Sequence, residues 1–506
     1  MRHPSVDHPI SETPFKVIVV GAGVAGLTLA HCLEKANIDY VVLDKGIVAP
    51  PFGTTITMQP HGCRILDQLG CLDAVLSQCS TMKGCSCRTS TGKVYAENRF
   101  FEVIQQYSGY STCTLDRRVF LRTLYNQLRD KSKVLERCRV ENIIEETGIV
   151  KVLLADGTEH VGNLVVGADG VHSKVRELMW DKANRAIPGS ISAAEKRSMA
   201  TTYNALIAMC PPVPGLSKHD MEITSGNGFS FLLLCQPTFI TYIAHCKLPE
   251  AKRYRWPNRG KYTEEEMEAL ASKLADCPVT ETVLFGELWR SRTKGQLISL
   301  EEGVLKHWFF GRIVLAGDAI HKITPNSALG GCTAMESVVS IANAIHGLVH
   351  AHPNKEPSDV EIRDALQHYQ DSRLDRVKGI VEFGAKMTRL QAYDGWWNYI
   401  TQRWITPVIG LDCLARDASR LFSGAPKLNY VPFEGKAGKL GWNEDSSTRL
   451  TRSPGKKVVA RGGRALERIL PVVVGTLVLL SSTLWWVISG DMRHASAGFG
   501  AFIKVA

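Results

Sequence analysis

The chain has 506 residues, 44% of them apolar and 22% charged, and its 43 glycines and 22 prolines follow no fixed period. That composition excludes a disordered or collagen-like chain, and the length exceeds what a single core ordinarily organises. Lys and Arg number 60 against 50 Asp and Glu, but residues 436–468 alone hold nine basic and three acidic side chains. The rest is close to balance, which argues against a basic nucleic-acid-binding face. The 14 cysteines are scattered, none in a CxxC pair or a zinc-spaced array, the nearest approach being Cys85-Ser86-Cys87. With no secretory signal before the first strand, reduced thiols in a cytosol-facing protein and no metal site are expected.

The apolar, β-branched run at 15–20 ends in Gly21-Ala22-Gly23-Val24-Ala25-Gly26, and Leu27, Leu29, Ala30 and Leu33 then recur at helical spacing. A second run, 40–43, closes on Asp44, completing a strand, glycine turn, helix and strand. Two later strands also end in Gly/Asp turns: 164–166 runs into Gly167-Ala168-Asp169-Gly170, and 313–316 into Gly317-Asp318. Between them, about 195–295, strand-like pieces such as 229–234 and 239–245 alternate with Pro-rich turns. Residues 359–422 read as mainly helical, and 436–468 as a linker.

The stretch 469–490 carries no charged side chain over 22 residues, enough to cross a hydrocarbon core of about 30 Å as a helix. Arg461, Arg464 and Arg468 precede it and Trp485-Trp486 lie near its end, the signature of an anchored span with the catalytic body cytosolic.

The expected fold is α/β. A tail (1–13) precedes a Rossmann-like dinucleotide-binding domain in two parts (14–194 and 296–390), interrupted by an inserted β-sheet substrate domain (195–295). A C-terminal helical region (391–435), a basic linker (436–468), one transmembrane helix (469–490) and a tail (491–506) follow.

Gly21, Gly23 and Gly26 supply the tight turn, close backbone approach and helix packing that bring a pyrophosphate onto the helix N-terminus. Asp44, eighteen residues past Gly26, stands where an acid meets ribose hydroxyls, near the usual spacing of about 20. FAD and NAD both satisfy this fingerprint.

Two downstream segments distinguish them by resemblance. The stretch from Gly167 through Asp169-Gly170-Val171-His172-Ser173 to Arg176 resembles the DG motif of group A FAD-dependent, NAD(P)H-using monooxygenases. Gly317-Asp318-Ala319-Ile320-His321-Lys322-Ile323-Thr324-Pro325 resembles their GD motif. With the glycine turn and Arg117 in Thr114-Leu115-Asp116-Arg117-Arg118, the signatures stand in family order. Gly53 in Pro50-Pro51-Phe52-Gly53, the 62–70 segment, Asn326-Ser327-Ala328-Leu329-Gly330-Gly331 and the C-terminal span are similar to fungal membrane epoxidases of meroterpenoid and indole-diterpene pathways. Asp44 in place of the usual Glu, Cys332 in place of Asn and Ser337 in place of Asp depart from the pattern.

The resemblance implies non-covalent FAD, NADPH or NADH as co-substrate, and O2. The cofactor residues would be Gly21, Gly23, Gly26, Asp44, Gly53, Thr57, Arg117, Asp169, Asp318, Gly330 and Gly331. The substrate would be a lipophilic, prenylated small molecule epoxidised at an alkene, with membrane lipid as a further partner and no nucleic acid. The alternative is a salicylate-type aromatic-ring hydroxylase; a scaffold without turnover fits less well, because both Gly/Asp turns are intact. The flavin does the hard chemistry, so the protein has to supply a dry cavity and a slot for the correct double bond. Tyr203 is the candidate proton donor, with Tyr242 on another inserted strand, and His321 is expected to hold its loop. The aromatics Trp396, Trp397, Tyr399 and Trp404 form a core patch or a surface that rests at a bilayer.

Overall fold

The computed structural model describes residues 15–443 apart from 52, 54, 217–220, 259 and 354. The expected membrane span at 469–490, both tails and most of the basic linker lie outside these residues. Five parallel strands, Val134–Leu135, Asp39–Leu43, Lys16–Val20, Leu164–Gly167 and Ile313–Leu315, lie side by side with Phe309–Phe310 antiparallel at the edge. Their central strands are runs of Val, Ile and Leu because both faces are covered. Helix Val24–Ala36 covers one face and ends at Asn37, in the left-handed region at φ 55°. A three-stranded meander (Val140–Glu145, Val150–Leu154, Glu159–Gly162) lies against Lys16–Val20, where Gly162 leaves room for Ile18.

The large sheet draws on more of the chain than the stretch 195–295. Its order is His321–Lys322, Lys294–Val304, Ala200–Cys210, Ile240–Lys247, Phe229–Cys235, Met221–Gly226, Cys85–Arg88 and Val94–Asn98, with Tyr254–Arg255 beside Ala200–Cys210. Two of its strands therefore come from the first nucleotide-binding segment, one crosses residue 295, and the last continues directly from the Gly317-Asp318 turn. Side chains alternate across the sheet. Leu206, Phe231, Leu233 and Tyr242 pack outward on helices Glu264–Leu274 and Phe285–Arg290, while Tyr203, Ile207, Leu232 and Ile243 join the main core.

Helix Gly330–Ala351 is long and apolar enough to cross a membrane, but it is a core helix packed between Val24–Ala36 and Asp359–Gln391. The 33-residue helix Asp359–Gln391 starts at a capping box, in which Ser358 and Glu361 each satisfy the other's backbone N–H. Beyond helix Leu411–Ser423 the chain returns along the body. Gln68 bonds the backbone of Leu428 and Val431, and the Leu440 N–H donates to Tyr107, so 436–443, expected within a linker, are docked. All 14 cysteines are free, and no group of metal-binding side chains occurs among the described residues.

Candidate active site

The carboxyl ends of the parallel strands deliver the turns after Val20, Leu43, Gly167 and Leu315 to one place, where ligands bind in open α/β sheets. The first turn has no freedom to vary. A Cβ on Gly26 would stand 1.8 Å from the Gly21 carbonyl oxygen, and one on Gly21, at φ 105°, would stand 2.6 Å from that of Ala168. Asp44 clamps the turn from the next strand, accepting the Ala22 N–H at 2.6 Å and the Gly46 N–H at 2.7 Å.

Helix Val24–Ala36 begins at Gly23 with no capping side chain, and Gly330–Ala351 likewise begins uncapped. Their first-turn N–H groups are left for an anion or a polar ring edge. Arg117 supplies the matching positive charge. It starts the helix Arg117–Gln127 after strand Cys113–Asp116, which pairs with Thr55–Met58 through the Thr57 and Thr114 hydroxyls at 2.8 Å. A Cβ on Gly23 would be 4.0 Å from Arg117 Nη2, and one on Gly53, at φ 94°, 3.7 Å from Arg117 Cδ. Burial lowers the pKa of the guanidinium, and the Asp318 and Asp44 carboxylates oppose that shift. Gly23, Gly53, Asp44, Arg117 and Asp318, five residues predicted from separate stretches, thus stand around one point.

Asp318 ion-pairs with Lys322. Burial works against ionisation of its carboxyl, but the Lys322 ammonium and, more weakly, the Arg117 guanidinium outweigh it, and the pKa is lowered. Asp169 acts through its turn. Its oxygens accept the Ser173 hydroxyl at 2.5 Å and the N–H groups of Lys174 and Val175 at 2.7 and 3.1 Å, so this carboxylate caps helix Lys174–Ala186 and fixes Gly167–Gly170 against Gly21. Nothing stands within 4 Å of a Cβ built on Gly330, whereas Gly331 is close to Ile56. Cys332 sits fully buried where its Sγ accepts the Gln59 N–H at 3.3 Å, and a Cβ on Gly62 would meet that sulfur at 2.6 Å.

Tyr203 is not among these groups. Its hydroxyl, fully buried, donates to Asp394 Oδ2 at 2.8 Å, and Lys247 holds the other oxygen at 2.6 Å. Burial and the Asp394 hydrogen bond push the phenol pKa up, so the proton expected to serve a reacting oxygen is already committed, and Tyr203 positions the end of helix Asp359–Gln391. Tyr242 donates to the Leu288 carbonyl on the opposite face. His321 bonds Ser337 at 3.0 Å, inside the core.

Sequence reasoning missed the support beneath Gly330. Glu336, fully buried in that helix, takes two hydrogen bonds from Arg376 at 2.8 and 2.7 Å and an ion pair from Arg373 at 2.7 Å. Glu336 is buried on the core side of an apolar helix, the signal that a carboxylate there needs partners; which arginines answer it is decided by packing.

The open, uncapped glycine cradle with Arg117 above it and two carboxylates beside it fits a dinucleotide pyrophosphate and its hydroxyl-bearing chains. A family model described as "FAD binding domain" matches residues 14–383. The chain belongs to the FAD-binding domain family. It is 57% identical over 506 residues to "FAD-dependent monooxygenase DEP2" of Alternaria brassicicola, covering 97% of this chain and 96% of that protein. It is 33% identical over 430 residues to "FAD-dependent monooxygenase atmM" of Aspergillus flavus, covering 85% and 89%. Among solved structures, Klebsiella pneumoniae HpxO complexed with FAD and uric acid superposes with a TM-score of 0.66 at 19% identity, over 81% of this chain and 97% of that one. The likeness to HpxO shows a shared fold. For this member of the FAD-binding domain family, FAD-dependent monooxygenation is the reaction class. FAD when bound accepts electrons and activates O2; the protein's residues bind, orient and shield it.

Proposed function

We propose that the enzyme epoxidises an alkene of a prenylated, farnesyl-type small molecule in fungal meroterpenoid or related terpenoid biosynthesis. One oxygen atom of O2 enters the alkene, the other leaves as water, and NAD(P)H with a proton supplies the two electrons. The observation that carries this reading is the inner face of the large sheet. Ile207, Ile223, Leu232, Leu234 and Ile243 make that face apolar where it packs toward the nucleotide-binding body, a setting that supports a hydrocarbon-like substrate. Lys196, Arg255 and His172, with Glu301, line a small cleft beside the turn after Gly170, a surface suited to the phosphates of NAD(P)H.

A membrane-tethered body supports the same substrate class. Trp396 is 71% exposed, Trp404 58% and Val408 86%, on one short segment, and the indoles suit a bilayer interface. With the uncharged stretch 469–490, they support a cytosolic body held on a membrane, in the endoplasmic reticulum. The deciding experiment supplies the membrane-bound holoenzyme with NADPH and a panel of prenylated aromatics and determines product structure. An epoxide on the prenyl chain is expected, and oxygen on a ring carbon would replace this reading with the aromatic hydroxylase.

A further inference from the structure

The start of helix Gly330–Ala351 stands at the cradle. A Cβ on Gly317, in the turn that presents Asp318, would be 3.1 Å from Ala334 Cβ in that helix and 3.3 Å from Ala25 Cβ in helix Val24–Ala36. The chain enters the helix through Ala328, whose φ of 53° lies in the left-handed region that alanine rarely occupies. A backbone of that kind persists only where its surroundings over-determine it.

Those surroundings come from the far end of helix Asp359–Gln391, where Gly384, Thr388 and Gln391 fall at i, i+4 and i+7 on one face. A Cβ on Gly384 would meet Ile323 Cγ2 at 2.7 Å and Ser327 Oγ at 3.3 Å, so the helix backbone itself rests on segment 323–327. One turn on, Thr388 Oγ1 hydrogen-bonds Thr324 Oγ1 at 2.8 Å and Asn326 Oδ1 at 2.9 Å. Gln391 Oε1 accepts from Asn326 Nδ2 at 2.6 Å. Both ends of the Asn326 amide are thus committed, and all four side chains are buried, where water does not replace a lost partner. The same helix end grips the large sheet. Arg389 holds both oxygens of Glu302, at 3.1 and 2.5 Å, and Asp394, three residues past Gln391, takes Tyr203 and Lys247. A hydroxyl and an amide stand where an apolar pair would fill a helix-packing face, and a fully satisfied buried network of this kind fixes one arrangement of the chain.

We propose that Thr388 and Gln391 are positioning residues for the cofactor: through Asn326 they set segment 324–329, and with it the direction in which the first-turn N–H groups of Gly330 and Gly331 meet FAD. The inference rests on FAD binding and is independent of which carbon the enzyme oxidises.

The test titrates detergent-solubilised, full-length apoprotein with FAD, following flavin fluorescence, and records the visible spectrum of the bound flavin and the melting temperature of the apoprotein. Thr388→Val, nearly isosteric but without the hydroxyl, should weaken FAD binding about tenfold and shift the visible bands. Thr388→Ser should restore both, and Gln391→Met should resemble Thr388→Val. Leu366→Ala, a truncation of a residue 2% exposed nearer the start of the same helix, should lower the melting temperature with FAD affinity unchanged, the pattern of a purely structural residue. Wild-type FAD affinity in Thr388→Val overturns the proposal, and so does a Thr388→Ser protein that binds FAD as weakly as Thr388→Val. Should Thr388→Val not fold, the FAD affinity of Gln391→Met decides in its place.

Discussion

The guanidinium of Arg117 stands over Gly23, 4.0 Å from the place where a side chain there would begin. Because Arg117 comes from another helix, it brings a positive charge to the uncapped first turn of helix Val24–Ala36 and leaves the turn itself open. Arg117→Ala is expected to weaken FAD binding by about tenfold or more, the effect of losing a charge-assisted contact. Fluorescence titration of apoprotein with FAD measures it, and unchanged affinity would remove Arg117 from the site.

Asp318 should be at least as sensitive. Asp318→Ala removes the acceptor placed at the turn and leaves Lys322 and Arg117 facing each other's charge. The purified variant is expected to be colourless, and yellow, fully loaded protein would contradict the assignment.

The Gly26 position permits no side chain. Gly26→Ala places a carbon 1.8 Å from a backbone oxygen, and backbone on both sides prevents the collision from being relieved by a rotamer change. Loss of FAD with a lowered melting temperature is expected; a normally loaded variant would show that the turn can open.

Glu336→Ala should destabilise the protein by about 3–5 kcal/mol, because Arg373, 2% exposed, keeps its charge in the core with its partner gone. Burial disfavours the carboxylate, yet Arg376 and Arg373 outweigh that and the Glu336 pKa is lowered in the folded protein. A depressed carboxyl pKa contributes stability that is present above the unfolded value, about 4.3, and is lost as pH falls below it. Wild type should therefore lose denaturant resistance between pH 5 and more acidic conditions by more than Glu336→Ala does. Parallel losses in the two proteins would rule the triad out as the source.

Deleting residues 469–506 should release the protein from membranes while leaving FAD in place, since every residue around the cradle lies before 332. A truncated chain that stays in a carbonate-washed pellet would place the anchor elsewhere, with the exposed indoles at 396–404 the first segment to substitute.

The cradle was legible because its requirements are local. Gly21, Gly26 and Asp44 answer to a turn, a helix start and a strand end within thirty residues, and those constraints are written in residue type and spacing. The large sheet was only half legible. Cys85–Arg88 and Val94–Asn98 read as strands to the same degree wherever they pair, and nothing in their pattern says that Met221 lies beside Cys85. Asp169 could have been seen as a cap, since Ser173 and the helix that follows it give the usual start signal. The side-chain partnerships across the large sheet could not: alternation along a strand declares a residue's face, but strand pairing and packing decide which groups are set beside it. Tyr203 went the same way, its hydroxyl claimed by an aspartate 191 residues along the chain.

The strand His321–Lys322 belongs both to the turn that presents Asp318 and to the large sheet, where it bonds to Gly303 and Val304. The large sheet, the substrate wall in the proposed reading, is thus joined to Asp318 through residues 319 and 320 alone. Two ligands that settle the same segment are thermodynamically linked, and such linkage is reciprocal. If a bound substrate tightens FAD, FAD tightens the substrate by that same factor, and an enzyme stripped of flavin loses that much of its grip on the molecule it oxidises.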